Sequence, residues 1–220
     1  NRIKTDQNYA KLLNEIQLVI IPVVNPDGYV YSWTNNRYWR KNRRNNSGGS
    51  YGVDLNRNFS KGWGQNGGSS SDKWSDVYRG PSAFSEPESA AIRDFSQTLP
   101  KIVAMIDAHN YSEMILYPWG YTESPPADKT LLQNTGNTMR SAMLASGGRG
   151  YDVGQASLLL YIASGITTDY YYDKWNTLAY TIEHRDKGQY GFELPESQIF
   201  PTQKESFAAI DALMNASRNR

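Results

Sequence analysis

Two short apolar runs restrict the architecture more than any other feature of this sequence. Residues 101–108 (KIVAMIDA) and 178–183 (LAYTIE) are too short for apolar helices and read as buried strands. Residues 17–24 (QLVIIPVV), apolar and β-branched, read as a third, ended by a turn at Asn25-Pro26-Asp27-Gly28. Residues 113–117 (EMILY) suit a fourth. Helical patterns fall between and around them: residues 9–16, 131–145 (closed by Gly147-Gly148), 168–175 and 202–214. Ser85-Glu86-Pro87-Glu88 has the form of a capping box with proline in the first turn, and Ile92, Phe95 and Leu99 continue it as an apolar stripe. Strands alternating with helices specify a layered α/β fold. No repeat and no break in composition divides the chain, so residues 1–220 read as one domain, with long surface excursions at 29–51 and 62–75.

Composition narrows the function classes. With 39% hydrophobic residues among 220, the chain can bury a substantial core. Basic and acidic residues number 23 and 22, a net charge of +1, which gives no ground for a nucleic-acid or membrane-surface partner. One basic cluster, residues 37–44 (RYWRKNRR), is a weak candidate for phosphate binding. There is no cysteine, so disulfides and thiolate–metal sites are excluded. No apolar run is long enough to span a bilayer.

Only two histidines are present, His109 and His184. His109 follows a buried run and projects at the carboxyl end of a strand, where open α/β sheets place ligands; taken alone it reads equally as a hydrogen-bonded core histidine. Glu183 ends LAYTIE. Adjacent strand residues face opposite ways, so Glu183 and His184 cannot serve one site. Glu183 reads either as a functional carboxylate or as an ion-pair partner for Arg185. Arg40, beside Trp39, and Arg57, between Asn56 and Asn58, offer planar donor forks suited to a carboxylate, although surface ion pairs use the same residues. Tyr161, in LLLYIASG, is by itself a packing tyrosine, one of 16.

Taken in order, NPDGYVYSWTNNRYWRKNR, GVDLNRNF, SEPES, DAHNYSEMILYPWGY, LYIASG, TIEHRDKGQYGF and LPESQIFPT resemble the motifs of the zinc metallocarboxypeptidases, the family of carboxypeptidases A, B and T. The resemblance runs from residue 19 to the final helix. It implies a three-layer α/β/α fold with a mixed, mainly eight-stranded sheet, and hydrolysis of the last peptide bond of a peptide bearing a free C-terminal carboxylate. His109 matches a zinc ligand and Glu183 the catalytic glutamate. Arg40 matches the arginine that polarises the scissile carbonyl. Asn56 and Arg57 match the pair that grips the terminal carboxylate, and Tyr161 the tyrosine that closes over it. Thr168 matches the base of the side-chain pocket, with Asp169 next to it; a neutral Thr168 implies apolar or aromatic C-terminal residues, whereas Asp169 as the floor implies Lys or Arg. The resemblance also implies zinc as cofactor and a secreted enzyme.

The departures set further expectations. The family's first two zinc ligands lie in an H-x-x-E motif ahead of the NPDG turn, and no histidine precedes Asn25. The chain therefore reads as a partial catalytic domain lacking N-terminal elements, inactive and zinc-poor by itself, with its front part missing or on another chain, and with an exposed sheet edge or face. The alternative is a noncatalytic domain that binds peptide C-termini. Glu113 and His184 stand where the family often has Gln and Leu; the second change lies on the far face of its strand from Glu183.

Overall fold

Residues 7–218 and 220 are described in a computed structural model of the chain. Its centre is a mixed sheet of four strands among the described residues: β1 (Ala104–Asn110), β2 (Met114–Tyr117), β3 (Asp152–Gln155) and β4 (Leu178–His184), in spatial order β1-β4-β2-β3. β1 and β4 run parallel, β4 and β2 antiparallel, and β2 and β3 parallel. The helices are α1 (Gln7–Glu15), α2 (Pro26–Thr34), α3 (Pro87–Thr98), α4 (Lys129–Ala145), α5 (Ala156–Leu159), α6 (Thr167–Trp175) and α7 (Ile199–Ser217).

Alternation along the strands sorts these helices onto two faces. From β4, Tyr180 donates to the Leu132 carbonyl of α4 at 2.8 Å and His184 lies beside Ser206 of α7, so α4 and α7 cover one face. The opposite face carries Asp107 of β1, which is hydrogen-bonded by the Thr167 side chain at the start of α6. The expected α/β layering is present. The main core lies under α4 and α7, where Ile115, Leu132, Met139, Met143, Tyr151, Tyr180 and Ile182 are sealed from solvent. In α4 the buried positions Leu132, Thr135, Gly136, Met139 and Met143 follow the helical repeat. Gly136 permits this contact, because a Cβ there would meet the Val153 side chain at 2.5 Å.

Several expectations are corrected. Residues 17–24 are not a strand; they have no regular secondary structure and every one is exposed, Ile20 at 71%. A strand exists only where a neighbour accepts from its N–H groups and donates to its C=O groups, and no described strand lies alongside this run. Asn25-Pro26-Asp27-Gly28 is no free turn but the start of α2: Asn25 caps it by accepting from Gly28 N at 3.0 Å, and Pro26 occupies the first turn. The excursion at 29–51 is therefore helical as far as Thr34. The capping box is also absent. Glu86 is the N-cap of α3 and makes no side-chain cap bond, while the Ser85 hydroxyl donates to Glu86 at 2.7 Å instead. β3 and the short 3-10 turns Leu55–Arg57 and Glu196–Gln198 were not expected. No described helix is long and apolar enough to cross a membrane.

Candidate active site

The register of β1 on β4 builds the site. His109 is the Cα partner of Glu183, so two parallel strands deliver an imidazole and a carboxylate side by side at their carboxyl ends. Alternation then sends His184 to the other face, beside Tyr151 and Ser206, as expected. Arg185 does not pair with Glu183. It forks onto Glu205 of α7, with Nε to Oε2 at 2.8 Å and Nη2 to Oε1 at 2.5 Å. Glu183 is thereby left free for the cleft.

The segment GVDLNRNF forms the opposite wall. Gly52 has φ +84° and lies against the Asn42 carbonyl, where a Cβ would sit 2.5 Å from that oxygen. Val53 and Phe59 are buried anchors and Leu55 is half-buried. Asp54 does double duty: one oxygen accepts from Asn56 N at 3.1 Å and the other from Arg40 Nε at 2.9 Å. Arg40, 37% exposed at its side chain, is thus fixed through Nε. Its terminal nitrogens make no hydrogen bond among the described residues. The Asp54 carboxylate stabilises its charge against burial, with Tyr161 and Glu183 close enough to contribute.

Asn56 is the hub. Its Oδ1 accepts from Thr167 N at 2.8 Å and from the Thr167 hydroxyl at 3.0 Å, and its Nδ2 lies 3.1 Å from His109 Nε2. The same imidazole nitrogen lies 3.1 Å from Asp107 Oδ2. Protonated, Nε2 donates to Asp107; unprotonated, it accepts from Asn56. Burial lowers the His109 pKa, but the Asp107 carboxylate more than offsets that, and the net shift is upward. Burial raises the Glu183 pKa, moderated by the positive fields of His109 and Arg40.

Arg57 is 3% exposed. Its Nη1 donates to the Asn56 carbonyl at 2.6 Å, its buried Nε has no partner, and no carboxylate forms an ion pair with it among the described residues. Tyr161, 53% exposed, stands with its ring centre 6.0 Å from the guanidinium carbon. Asn58, by contrast, belongs to the framework: it is fully buried and holds Arg79, Ser82, Ser85, Glu86 and Ser89. Thr168 is buried in the first turn of α6.

The structure therefore brings Arg40, Asn56, Arg57, His109, Tyr161 and Glu183 around one cleft, with Thr168 next to the threonine that holds Asn56. Asp54, Asp107 and Thr167 are the residues that sequence reasoning missed. Asp54 lay within a motif already singled out. Asp107 was legible only by its i, i+2 spacing to His109 on a strand. The basic cluster at 37–44 is used internally: Arg37 lies over Trp33, Arg43 over Tyr31, Trp39 and Tyr51, Arg44 pairs with Glu86, and Lys41 donates to two carbonyls.

A zinc ion requires three protein donors converging on one point. Among the described residues no group of three or more His, Asp or Glu side chains could hold a metal. His109 and Glu183 alone do not fit that requirement.

Comparisons with known proteins bear on the family and the fold. The family model described as zinc carboxypeptidase matches residues 1–209. Human carboxypeptidase A5 is 40% identical over 215 residues, covering 97% of this chain and 49% of that protein. Bovine carboxypeptidase B is 42% identical over 203 residues, covering 91% and 48%. The chain thus spans about half the length of the curated relatives it matches. Among solved structures, bovine thrombin-activatable fibrinolysis inhibitor in complex with tick carboxypeptidase inhibitor superposes with a TM-score of 0.89 at 38% identity, over 99% of this chain and 75% of that one. With the match running from the first residue nearly to the last, and the fold shared, this chain belongs to the zinc carboxypeptidase family.

Proposed function

We propose that this chain carries the substrate grip and the catalytic glutamate of a secreted, zinc-dependent exopeptidase that removes the C-terminal residue of peptides and proteins. The observation that supports it best is Arg57. A guanidinium 3% exposed, with an orphan Nε and no ion-pair partner among the described residues, is costly unless an anion joins it. A peptide's terminal carboxylate fits that fork, and the half-exposed Tyr161 ring is placed to cover it. Only a free C-terminus offers such an anion, so the grip discriminates an end from an internal bond.

In this reading Asn56 orients the carboxylate beside Arg57. Arg40, fixed through Asp54, presents its terminal nitrogens to the scissile carbonyl, where negative charge grows in the transition state. Glu183, its affinity for a proton raised by burial, accepts a proton and returns it to the leaving amine. Thr168 gives the side-chain pocket a neutral floor and favours apolar or aromatic terminal residues. Zinc is the family's cofactor, but the described residues do not supply its site. No step is therefore assigned to the metal, and the chain by itself is expected to hold zinc weakly and to hydrolyse negligibly. The other ligands would come from a further portion of the protein acting as a partner chain.

The lack of a metal site among the described residues also favours a second reading, a noncatalytic domain that binds peptide C-termini. One titration separates the outcomes. The chain is expected to bind a short peptide ending in Phe at least about ten-fold tighter than its C-terminally amidated twin, with Arg57→Ala abolishing the difference. Equal affinities would refute the grip. Stoichiometric tight zinc in the purified chain would refute its proposed metal deficiency, and hydrolysis that a chelator abolishes would refute the noncatalytic reading.

A further inference from the structure

Asp169 is fully buried, directly after Thr168, and forms no ion pair among the described residues, although the charge of Lys61 reaches it. Lys61 itself pairs with Asp173 at 2.5 Å. Both Asp169 oxygens are instead taken up by backbone: Gly120 N donates to them at 2.9 and 3.0 Å, and Tyr121 N donates to Oδ2 at 3.1 Å. With its oxygens spent on these amides, Asp169 is not available as an anionic pocket floor. Burial pushes its pKa up to about 7. A carboxylate placed there is expensive, and packing alone would be better served by an apolar residue.

What the carboxylate achieves is a three-way junction. Gly120 donates its N–H to Asp169 of α6, while its C=O accepts from Ala163 N at 3.0 Å. Ala163 lies two residues after Tyr161, and Thr168 one residue before Asp169. Gly120 is pressed so close that a Cβ would meet Ile166 Cδ1 at 2.5 Å. The loop 118–121 is held from its other side too. Asn66 Nδ2 donates to the Tyr121 carbonyl at 2.7 Å, and Trp119 packs edge-on against Tyr172 of α6 with ring centres 4.8 Å apart.

We propose that Asp169 is a positioning residue for specificity: by clamping Gly120 between α6 and the 161–165 segment, it fixes the distance between Tyr161 and Thr168 and so sets the width of the pocket that receives the substrate's terminal side chain. This rests on the reading of Arg57 as the carboxylate grip and of Thr168 as pocket floor. It goes beyond them by assigning the discrimination between large and small terminal residues to a group that never touches substrate.

The test uses the 220-residue chain, the Asp169→Asn variant, and three peptides: one ending in Phe, one ending in Gly, and the amidated Phe peptide. The asparagine is isosteric, but one of its two positions becomes an NH2 donor: with its oxygen in the Oδ2 place, the NH2 is set against Gly120 N, and the second acceptor of that amide is lost. Exchange of the Gly120 and Tyr121 amide protons is expected to accelerate about ten-fold or more, with that of Tyr180 in β4 unchanged. Affinity for the Phe peptide should fall several-fold while that for the Gly peptide holds, a change of ratio that general destabilisation would not produce. If the amides loosen and the Phe-to-Gly ratio stays at the parent value, or if the amides remain protected, the proposal fails. A parent that does not distinguish the free from the amidated end overturns the carboxylate grip itself, and the pocket with it; a parent that does, with an unchanged ratio in the variant, overturns this proposal alone. Should the Asn variant not fold, Asp169→Ser keeps one acceptor oxygen and is read by the same two measurements.

Discussion

Arg57 and Glu205 are both buried and charged, and their surroundings give them opposite energetics. Arg57 has an unpartnered Nε and, among the described residues, no ion pair. Glu205 accepts from Arg185 through two nitrogens, from Arg149 N at 2.6 Å and from the Tyr151 hydroxyl at 2.9 Å. Replacing Arg57 with the similarly long, apolar Met should remove a buried charge that has no ion-pair partner among the described residues. Arg57→Met is therefore expected to raise the denaturant midpoint, by about 1 kcal/mol of stability, while eliminating carboxylate binding. Unchanged or lower stability would contradict the account of Arg57 as a residue strained for function. Glu205→Gln should behave in the reverse sense. It strands Arg185 in the interior, and unfolding titrations should register a loss of about 3 kcal/mol. Neither outcome could be read from the residue types alone, since Arg57 and Arg185 both stand next to polar neighbours in sequence. Asp54, Asp107 and Thr167 escaped notice for the same reason: each acts through a partner 14, 2 or 111 residues away.

Among the elements, β4 shows how one strand serves two purposes. LAYTIE was legible as a strand from its apolar run, and alternation correctly separated Glu183 from His184. The consequence for His184 depends on what covers it. Packed beside Tyr151 and Ser206, it is held neutral, and burial lowers its pKa from 6.5 to about 4. A histidine depressed in the fold takes up its proton more readily in the unfolded chain. The fold is therefore penalised as pH drops below 6.5 and until it passes the folded value near 4. From this group alone, stability should fall by about 2 kcal/mol between pH 7 and pH 5. His184→Leu, restoring the residue common in the family, should flatten that part of the pH profile in urea titrations; an unchanged slope would rule His184 out as its source. β3 was not legible, because Asp-Val-Gly-Gln carries no apolar run and owes its place to backbone pairing with β2. The 3-10 turn in GVDLNRNF was hidden likewise, since it depends on the Asp54 cap.

For the molecule as a whole, the unfinished feature is the sheet edge. Among the described residues β1 pairs with β4 on one side only, and residues 17–24 stay exposed although their composition suits a covered strand. Open edges and contiguous apolar surface both promote association. The chain is expected to self-associate as concentration rises, measurable by sedimentation, and Ile20→Lys should weaken this without altering the core. A strictly monomeric chain at high concentration would argue that this surface is inert. The cleft residues were marked only by their resemblance to the family's motifs; the sequence by itself determined the elements whose signals are local, namely β1, β2 and β4 by their apolar runs and α4, α6 and α7 by their periodicity. Those follow from side-chain patterns within a few residues of each other. Only the tertiary structure decided the register that sets His109 beside Glu183, the Asp54–Arg40 and Asn56–Thr167 ties, the clamp at Asp169, and the failure of residues 17–24 to become a strand. Each of these depends on which distant donors and acceptors meet, and a backbone group in a strand or a buried polar side chain is stable only when such a partner arrives.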